Sequence, residues 1–302
     1  MTADTFEAFL SGVRSRGDAA TWASEAGELF DELTARWELD LGAPAPTGPD
    51  AYAVAAVRAG ERPVILRLAV PDGWFADEVA ALSHWNGEGA VRLIDHDPRG
   101  AMLLEQPLPG DPLSDHDDED EALALAAGVL ERLWIPDPGG LLGVDAEVGE
   151  WLRTMPGRHH LAGRPFEREL IHEATATGRD LLGTSSERRL LHGDLRLANV
   201  VRDSDGFVAV EPRPLVGERA FDAASLIRDT PGALAADPVA GATLVQHRFD
   251  VVASRLDLDR ARLQMWTFVV SVDDTLWNFE AGSRVAGRER LAVTEMVRAI
   301  RV

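Results

Sequence analysis

Four side chains in the middle of the chain have the types and spacing that phosphoryl transfer needs. His192, Gly193 and Asp194 are followed five residues later by Asn199, and Glu211 ends the next short apolar run, Phe207 to Val210. Moving a phosphoryl group to a hydroxyl requires a carboxylate that orients the hydroxyl and accepts its proton. It also requires oxygen ligands that hold Mg2+ against the β and γ phosphates of a nucleotide. Asp194 suits the base, Asn199 and Glu211 suit the metal, and Gly193 permits a tight backbone beside the base.

Composition narrows the setting. At 302 residues the chain is longer than a single core usually supports, so two lobes are expected. It contains no Cys, which excludes disulfides, thiolate nucleophiles and Cys-ligated metals. All 30 of its basic Lys or Arg residues are Arg, so Schiff-base chemistry and a P-loop Lys are excluded as well. A net charge of -21 argues against nucleic acid as a partner and suits a cationic small molecule. No apolar run is long enough for a membrane helix, and the N-terminal MTADTFEAFL has neither the basic nor the apolar part of a secretory signal. The expectation is a cytoplasmic protein with no membrane partner.

The elements that must position the central residues read as follows. Residues 1 to 41 carry helical periodicity in two runs, ended by Gly42 and the Pro-rich APAPTGPD. Strands are expected at 51 to 57 and 63 to 69, joined through Arg58, Ala59, Gly60 and Glu61, then a helix from Trp74 to Trp85 and strands near Val91 to Asp95 and Ala101 to Glu105. This is a small antiparallel sheet with one helix laid across it. Pro107, Pro109, Gly110 and Pro112 mark a boundary, giving an N-terminal lobe at 1–106 and a C-terminal lobe at 107–302. Helices are expected at Glu121 to Leu133, Val148 to Met155, Glu167 to Leu182, Asp222 to Arg228, Ala240 to Leu256, Asp259 to Glu280 and Arg288 to Ile300. The acidic run Asp115 to Glu121 fits the N-terminus of the first of these, where the helix dipole favours negative charge. Asp273, Asp274 and Glu280 are candidates to face a polycationic substrate, although the polar side of a helix explains them equally simply.

HGDLRLANVV followed by VEPRPLVGERAFDAASLIRD resembles the catalytic and metal-binding segments of the aminoglycoside phosphotransferase family, on the protein-kinase-like fold. It is most similar to the branch of streptomycin 6-kinases and aminoglycoside/hydroxyurea resistance kinases. LTARWELDLG, GAVRLIDHDPRGAMLLEQPLPG and RLDLDRARLQMW extend the likeness. The resemblance implies an α+β two-lobe fold, with a nucleotide-binding N-terminal lobe and a helical catalytic and substrate-binding C-terminal lobe. It implies ATP and Mg2+ as cofactors. Position by position it implies Asp194 as catalytic base, Asn199 as metal ligand, and Asp222 with His192 as supports of the catalytic loop. Glu105, Gln106 and Leu108 fall in the hinge that meets adenine, and Glu78 matches the carboxylate that pairs with a phosphate-binding Lys.

Two positions depart from the family pattern. The strand VILRLAV has Arg67 where the family has that Lys, and the planar guanidinium is not a conservative exchange for an ammonium. Glu211 stands where the family has an Asp that binds Mg2+, and its extra methylene moves the carboxylate by about 1 Å against an ion that demands near-ideal octahedral geometry. TGPDAY has only Gly48 in place of a Gly-rich phosphate loop. The resulting expectation is an ATP-dependent kinase for a hydroxyl of an aminoglycoside or related aminocyclitol. The alternatives are a binding or sequestering protein that has lost turnover, and a kinase for another small hydroxylated acceptor.

Overall fold

A computed structural model describes residues 2–15, 19–46, 51–58, 63–204 and 206–300. Two compact units emerge, Met1–Asp111 with Arg202–Val210, and Pro112–Val201 with Glu211–Val302.

The first unit opens with helices α1 (Thr2–Arg14) and α2 (Ala20–Arg36). Strands β1 (Leu39–Ala45), β2 (Ala51–Arg58) and β3 (Pro63–Ala69) follow, then α3 (Gly73–Trp85), β4 (Leu93–Asp97) and β5 (Ala101–Glu105). The strands form one antiparallel sheet in the order β1-β2-β3-β5-β4. Leu29, Leu33 and Trp37 of the α2 segment pack with Val54, Leu66, Leu68 and Leu103 of the sheet, while Phe6, Phe30 and Tyr52 stack beside them. Asp72 caps α3 by accepting from Phe75 N at 3.0 Å.

The reading of 1 to 41 as helix fails at its end. Glu38 takes φ +55 and stops the helix, and Leu39 begins an edge strand. Pro44 is tolerated there because β1 pairs on one side only and its register shifts between Leu41 and Pro44. The expected turn at Ala59, Gly60 and Glu61 and the loop around Gly48 and Pro49 lie outside the described residues.

The second unit is mostly helical. It contains α4 (Glu119–Leu133), α5 (Val144–Leu161) and α6 (Arg168–Thr184), then the short strand β6 (Arg189–Leu191). Strand β7 (Val200–Asp203) leaves this unit at Val201 and pairs with β8 (Gly206–Ala209) of the first unit's second segment, and β9 (Leu215–Gly217) returns to pair with β6. Helices α7 (Arg219–Ile227), α8 (Pro231–Ala236), α9 (Pro238–Arg255), α10 (Arg260–Glu280) and α11 (Arg284–Ala299) complete it. The buried Leu263, Trp266, Val269, Val272 and Leu276 make α10 the centre around which α5, α6, α7, α9 and α11 pack. The acidic run is a helix start, since Asp118 accepts from Asp120 N and Glu121 N. Among the described residues no helix is long and apolar enough to cross a membrane.

Candidate active site

Strand β6 delivers the chain into the loop His192 to Asn199, which closes with a 3-10 turn at Leu197–Asn199 before β7. The pairing of β6 with β9 brings the return segment alongside, and Arg213 N donates to His192 O at 2.8 Å. Gly193 has φ +82, and a Cβ there would lie 1.9 Å from Arg213 O, so no other residue fits without moving backbone. Asp222, in the first turn of α7, is fully buried. Its Oδ2 accepts from His192 N and Trp134 Nε1, both at 2.9 Å, and its Oδ1 accepts from Gly193 N at 2.8 Å. Burial pushes this carboxyl above the usual carboxylate range, against the pull of His192 and the three donors.

Asp194 projects from the braced loop with its side chain 25% exposed. Asn199 Nδ2 donates to Asp194 O at 2.9 Å, which fixes the span between the two residues and leaves the amide oxygen as the atom able to meet a cation. Two residues in this region carry no signal in the motif reading. Arg196 sets Nη2 3.1 Å from Asp194 Oδ2, and its buried Nε has no hydrogen-bond partner among the described residues. Asp229, just past α7, accepts from Leu197 N at 2.8 Å. Arg196 was findable as the one cation inside the loop; Asp229 looks in sequence like part of a turn.

Glu211 follows β8 in the left-handed region at φ +55, two residues before the Arg213 that bonds to the loop. A non-Gly residue held there is uncommon, and such strain gathers at functional sites. Among the described residues no group of three His, Asp or Glu side chains forms a metal cage. The donor set suits Mg2+ nonetheless, because that ion binds through one or two carboxylates and takes its remaining ligands from phosphates and water.

In the first unit, Arg67 and Glu78 meet at 2.8 Å with side chains 15% and 8% exposed, so Glu78 is not an exposed helix charge. Arg67 Nε is buried without a hydrogen-bond partner among the described residues. The segment after β5 has little donor capacity to spare. Glu105 N donates to Arg92 O at 2.9 Å, Gln106 N donates to Pro63 O at 3.1 Å, and Pro107 has none. Leu108 N donates to the Asp203 side chain at 3.2 Å.

The candidate substrate carboxylates are engaged inside the protein. Arg158 binds Asp273 at 2.6 Å and Glu280 at 2.8 Å, while Asp274 lies 2.7 Å from Arg228 and 3.2 Å from Arg290. Burial raises the Asp273 carboxyl, with Arg158 opposing it. The negative charge read from the helix is therefore locally balanced by arginines.

Residues 36–282 match the model of the aminoglycoside/hydroxyurea antibiotic resistance kinases. The chain belongs to that family. As a member it is a small-molecule kinase, and its relatives match along nearly the whole chain. It is 32% identical over 282 residues to a streptomycin 6-kinase of Streptomyces glaucescens, covering 92% of this chain and 90% of the relative. It is 34% identical over 271 residues to a hydroxyurea phosphotransferase of Kitasatospora aureofaciens, covering 88% and 77%. Among solved structures, a choline kinase of Streptococcus pneumoniae superposes with a TM-score of 0.64 at 12% identity, over 92% of this chain and all of the other. An aminoglycoside phosphotransferase in complex with ADP and hygromycin B superposes with a TM-score of 0.59 at 15% identity, over 88% and 97%. These establish the protein-kinase-like fold. Of the two residues that set this sequence apart in the motif reading, Arg67 is buried against Glu78 and Glu211 sits at φ +55.

Proposed function

We propose that this kinase transfers the γ-phosphoryl group of ATP, with Mg2+, to a hydroxyl of a streptomycin-type aminoglycoside or related aminocyclitol. The observation that carries the reading is the braced loop: Asp222 holds the amides of His192 and Gly193, and Asn199 holds the carbonyl of Asp194. Positioning and electrostatics supply most of the catalysis in phosphoryl transfer, so a fixed loop is the main thing the protein must build.

Asp194 orients the acceptor hydroxyl and takes its proton as the new O–P bond forms and the bond to the β-phosphate oxygen breaks, leaving ADP. Arg196, beside Asp194, offsets negative charge on the phosphoryl group in transit. Asn199 and Glu211 hold Mg2+, which, when bound, neutralises charge on the phosphates. Arg67, oriented by Glu78, contributes a guanidinium for the phosphates. Leu108 and the carbonyls of Glu105 and Gln106 serve the adenine. ADP formation from ATP with streptomycin at millimolar Mg2+ is the test; formation that vanishes in Asp194→Asn supports the assignment.

A second reading changes the acceptor only. Asp273, Asp274 and Glu280 are already paired with Arg158, Arg228 and Arg290, which favours a smaller, less cationic hydroxyl compound. Comparing hydroxyurea and simple amino sugars with streptomycin in the same assay separates the two.

A further inference from the structure

We propose that Asp229 is a positioning residue for phosphoryl transfer: it anchors the far end of the loop that carries Asp194 and Asn199, and the buried Arg248 anchors Asp229. The inference rests on the phosphotransferase reading above and adds a second brace to it.

The loop has one carboxylate anchor at each end. Asp222 takes the amides of His192 and Gly193 at its start, and Asp229 Oδ2 takes Leu197 N at 2.8 Å at its close. The two residues are seven positions apart, Asp222 in the first turn of α7 and Asp229 just past its end, so a single helix of about 1.5 Å rise per residue sets the spacing between the anchors. Leu197 is 6% exposed, so its N–H has little access to water and depends on Asp229 for a partner. It also opens the turn that ends at Asn199, whose amide reaches back to Asp194 O. A displaced Leu197 therefore carries both the base and a metal ligand with it.

The surroundings show that Asp229 is held in place at some cost. Thr230, the next residue, has φ 52 and ψ 52. A β-branched residue in the left-handed region is a real outlier, and such a conformation persists only where its neighbours over-determine it. Here they do. Thr230 N donates to Asp229 Oδ1 at 2.7 Å and Thr230 Oγ1 donates to Asp229 O at 2.8 Å. Arg248, on α9 and 2% exposed, donates Nη1 to Asp229 O at 2.7 Å and to Ile227 O at 3.3 Å, and Nη2 to Thr230 Oγ1 at 3.2 Å. Its Nε donates to Glu119 Oε1 at 2.7 Å in the first turn of α4. A buried guanidinium is tolerable only with its charge and donors satisfied, and this one is satisfied by the carbonyls at the C-terminal end of α7 and by Glu119. Arg248 thus links α9, the end of α7 and, through Glu119, α4 to the strained Thr230 and its neighbour Asp229, whose carboxylate points at the catalytic loop.

The test compares wild type with Asp229→Asn and Asp229→Ala by hydrogen exchange at the Leu197 amide and by kinetics. Asn retains one acceptor oxygen for the two amides that Asp serves; Ala retains none. Exchange at Leu197 should be slow in wild type, faster in Asn and fastest in Ala. The value of kcat should fall by about tenfold in Asn and about a hundredfold in Ala, as a misplaced reacting group does. The Mg2+ concentration for half-maximal rate should rise in the same order, while KM for ATP moves by less than about threefold, a pattern that general destabilisation does not produce. Should the Ala variant not fold, the Asn variant decides. Unchanged exchange at Leu197, or accelerated exchange with unchanged kcat, overturns the proposal. If wild type transfers no phosphate to any acceptor, the functional reading has failed, and the positioning claim for the reaction falls with it. The exchange series still decides separately whether Asp229 anchors Leu197.

Discussion

Arg67 and Glu78 form a 2.8 Å ion pair between β3 and α3, and both side chains are largely withdrawn from water. Removing one partner of such a pair strands the other charge, at about 3 kcal/mol or more. Glu78→Leu should therefore lower the melting temperature substantially, and Glu78→Leu with Arg67→Leu should recover most of the loss without recovering activity. Arg67→Lys should keep the pair and change the rate by less than about tenfold. Thermal melts with an ADP-release assay check this; a double variant as active as wild type would remove Arg67 from the reaction.

Glu211 combines a longer carboxylate with φ +55. Asp is better tolerated than Glu in the left-handed region, so Glu211→Asp should be stable. It should alter the Mg2+ concentration for half-maximal rate by a few-fold, and Glu211→Gln should raise that concentration by about tenfold or more. A Mg2+ titration of the rate reads both, and superimposable curves for Gln and wild type would exclude Glu211 as a ligand.

At Gly193, a Cβ would stand 1.9 Å from Arg213 O. Gly193→Ala should cost about 3 kcal/mol or more, since positive φ and a backbone clash combine. Chemical denaturation measures it. A loss below about 1 kcal/mol would mean that the segment at Arg213 and the loop separate easily.

Asp97 anchors α2 to the β4-β5 hairpin. It binds Arg99 through Oδ1 and Oδ2 at 2.9 Å each and Arg36 at 3.1 Å, and Arg99 also holds Glu32 at 2.8 Å. The side-chain bond from Arg99 lowers its carboxyl from 3.8 to about 2. Because the folded value lies below the unfolded one, the unfolded chain binds more protons between them. The stabilisation is complete above about pH 4 and is lost as pH falls toward 2. Asp97→Asn should lower the melting temperature at pH 6 and do so much less near pH 2.5, and an equal effect at both would contradict the ion pairing.

The candidate active-site loop stands out in the sequence because its residues are local: His192, Asp194 and Asn199 lie within eight residues, and Asp222 follows in a recognisable run. What the sequence hid was set by distant partners. Arg158 lies 115 residues from Asp273 and Arg228 lies 46 from Asp274, so nothing near those carboxylates announces that they are neutralised. Strand β1 contains Gly42 and Pro44, which look like helix breakers before a loop; only pairing along a single edge accommodates them. The TPG of residues 230–232 looks like a turn, yet Pro231 starts α8, where its missing amide costs nothing.

Phosphoryl transfer to a small-molecule hydroxyl is expected to depend on the braced Asp194. The most direct test is mass spectrometry of streptomycin and of smaller acceptors after incubation with ATP, Mg2+ and either wild type or Asp194→Asn. The expected result is a phosphate ester on one acceptor, formed with stoichiometric ADP by wild type and reduced at least about a thousandfold in the variant. Acceptor binding without any phosphate ester, or equal ester formation by both proteins, would contradict it.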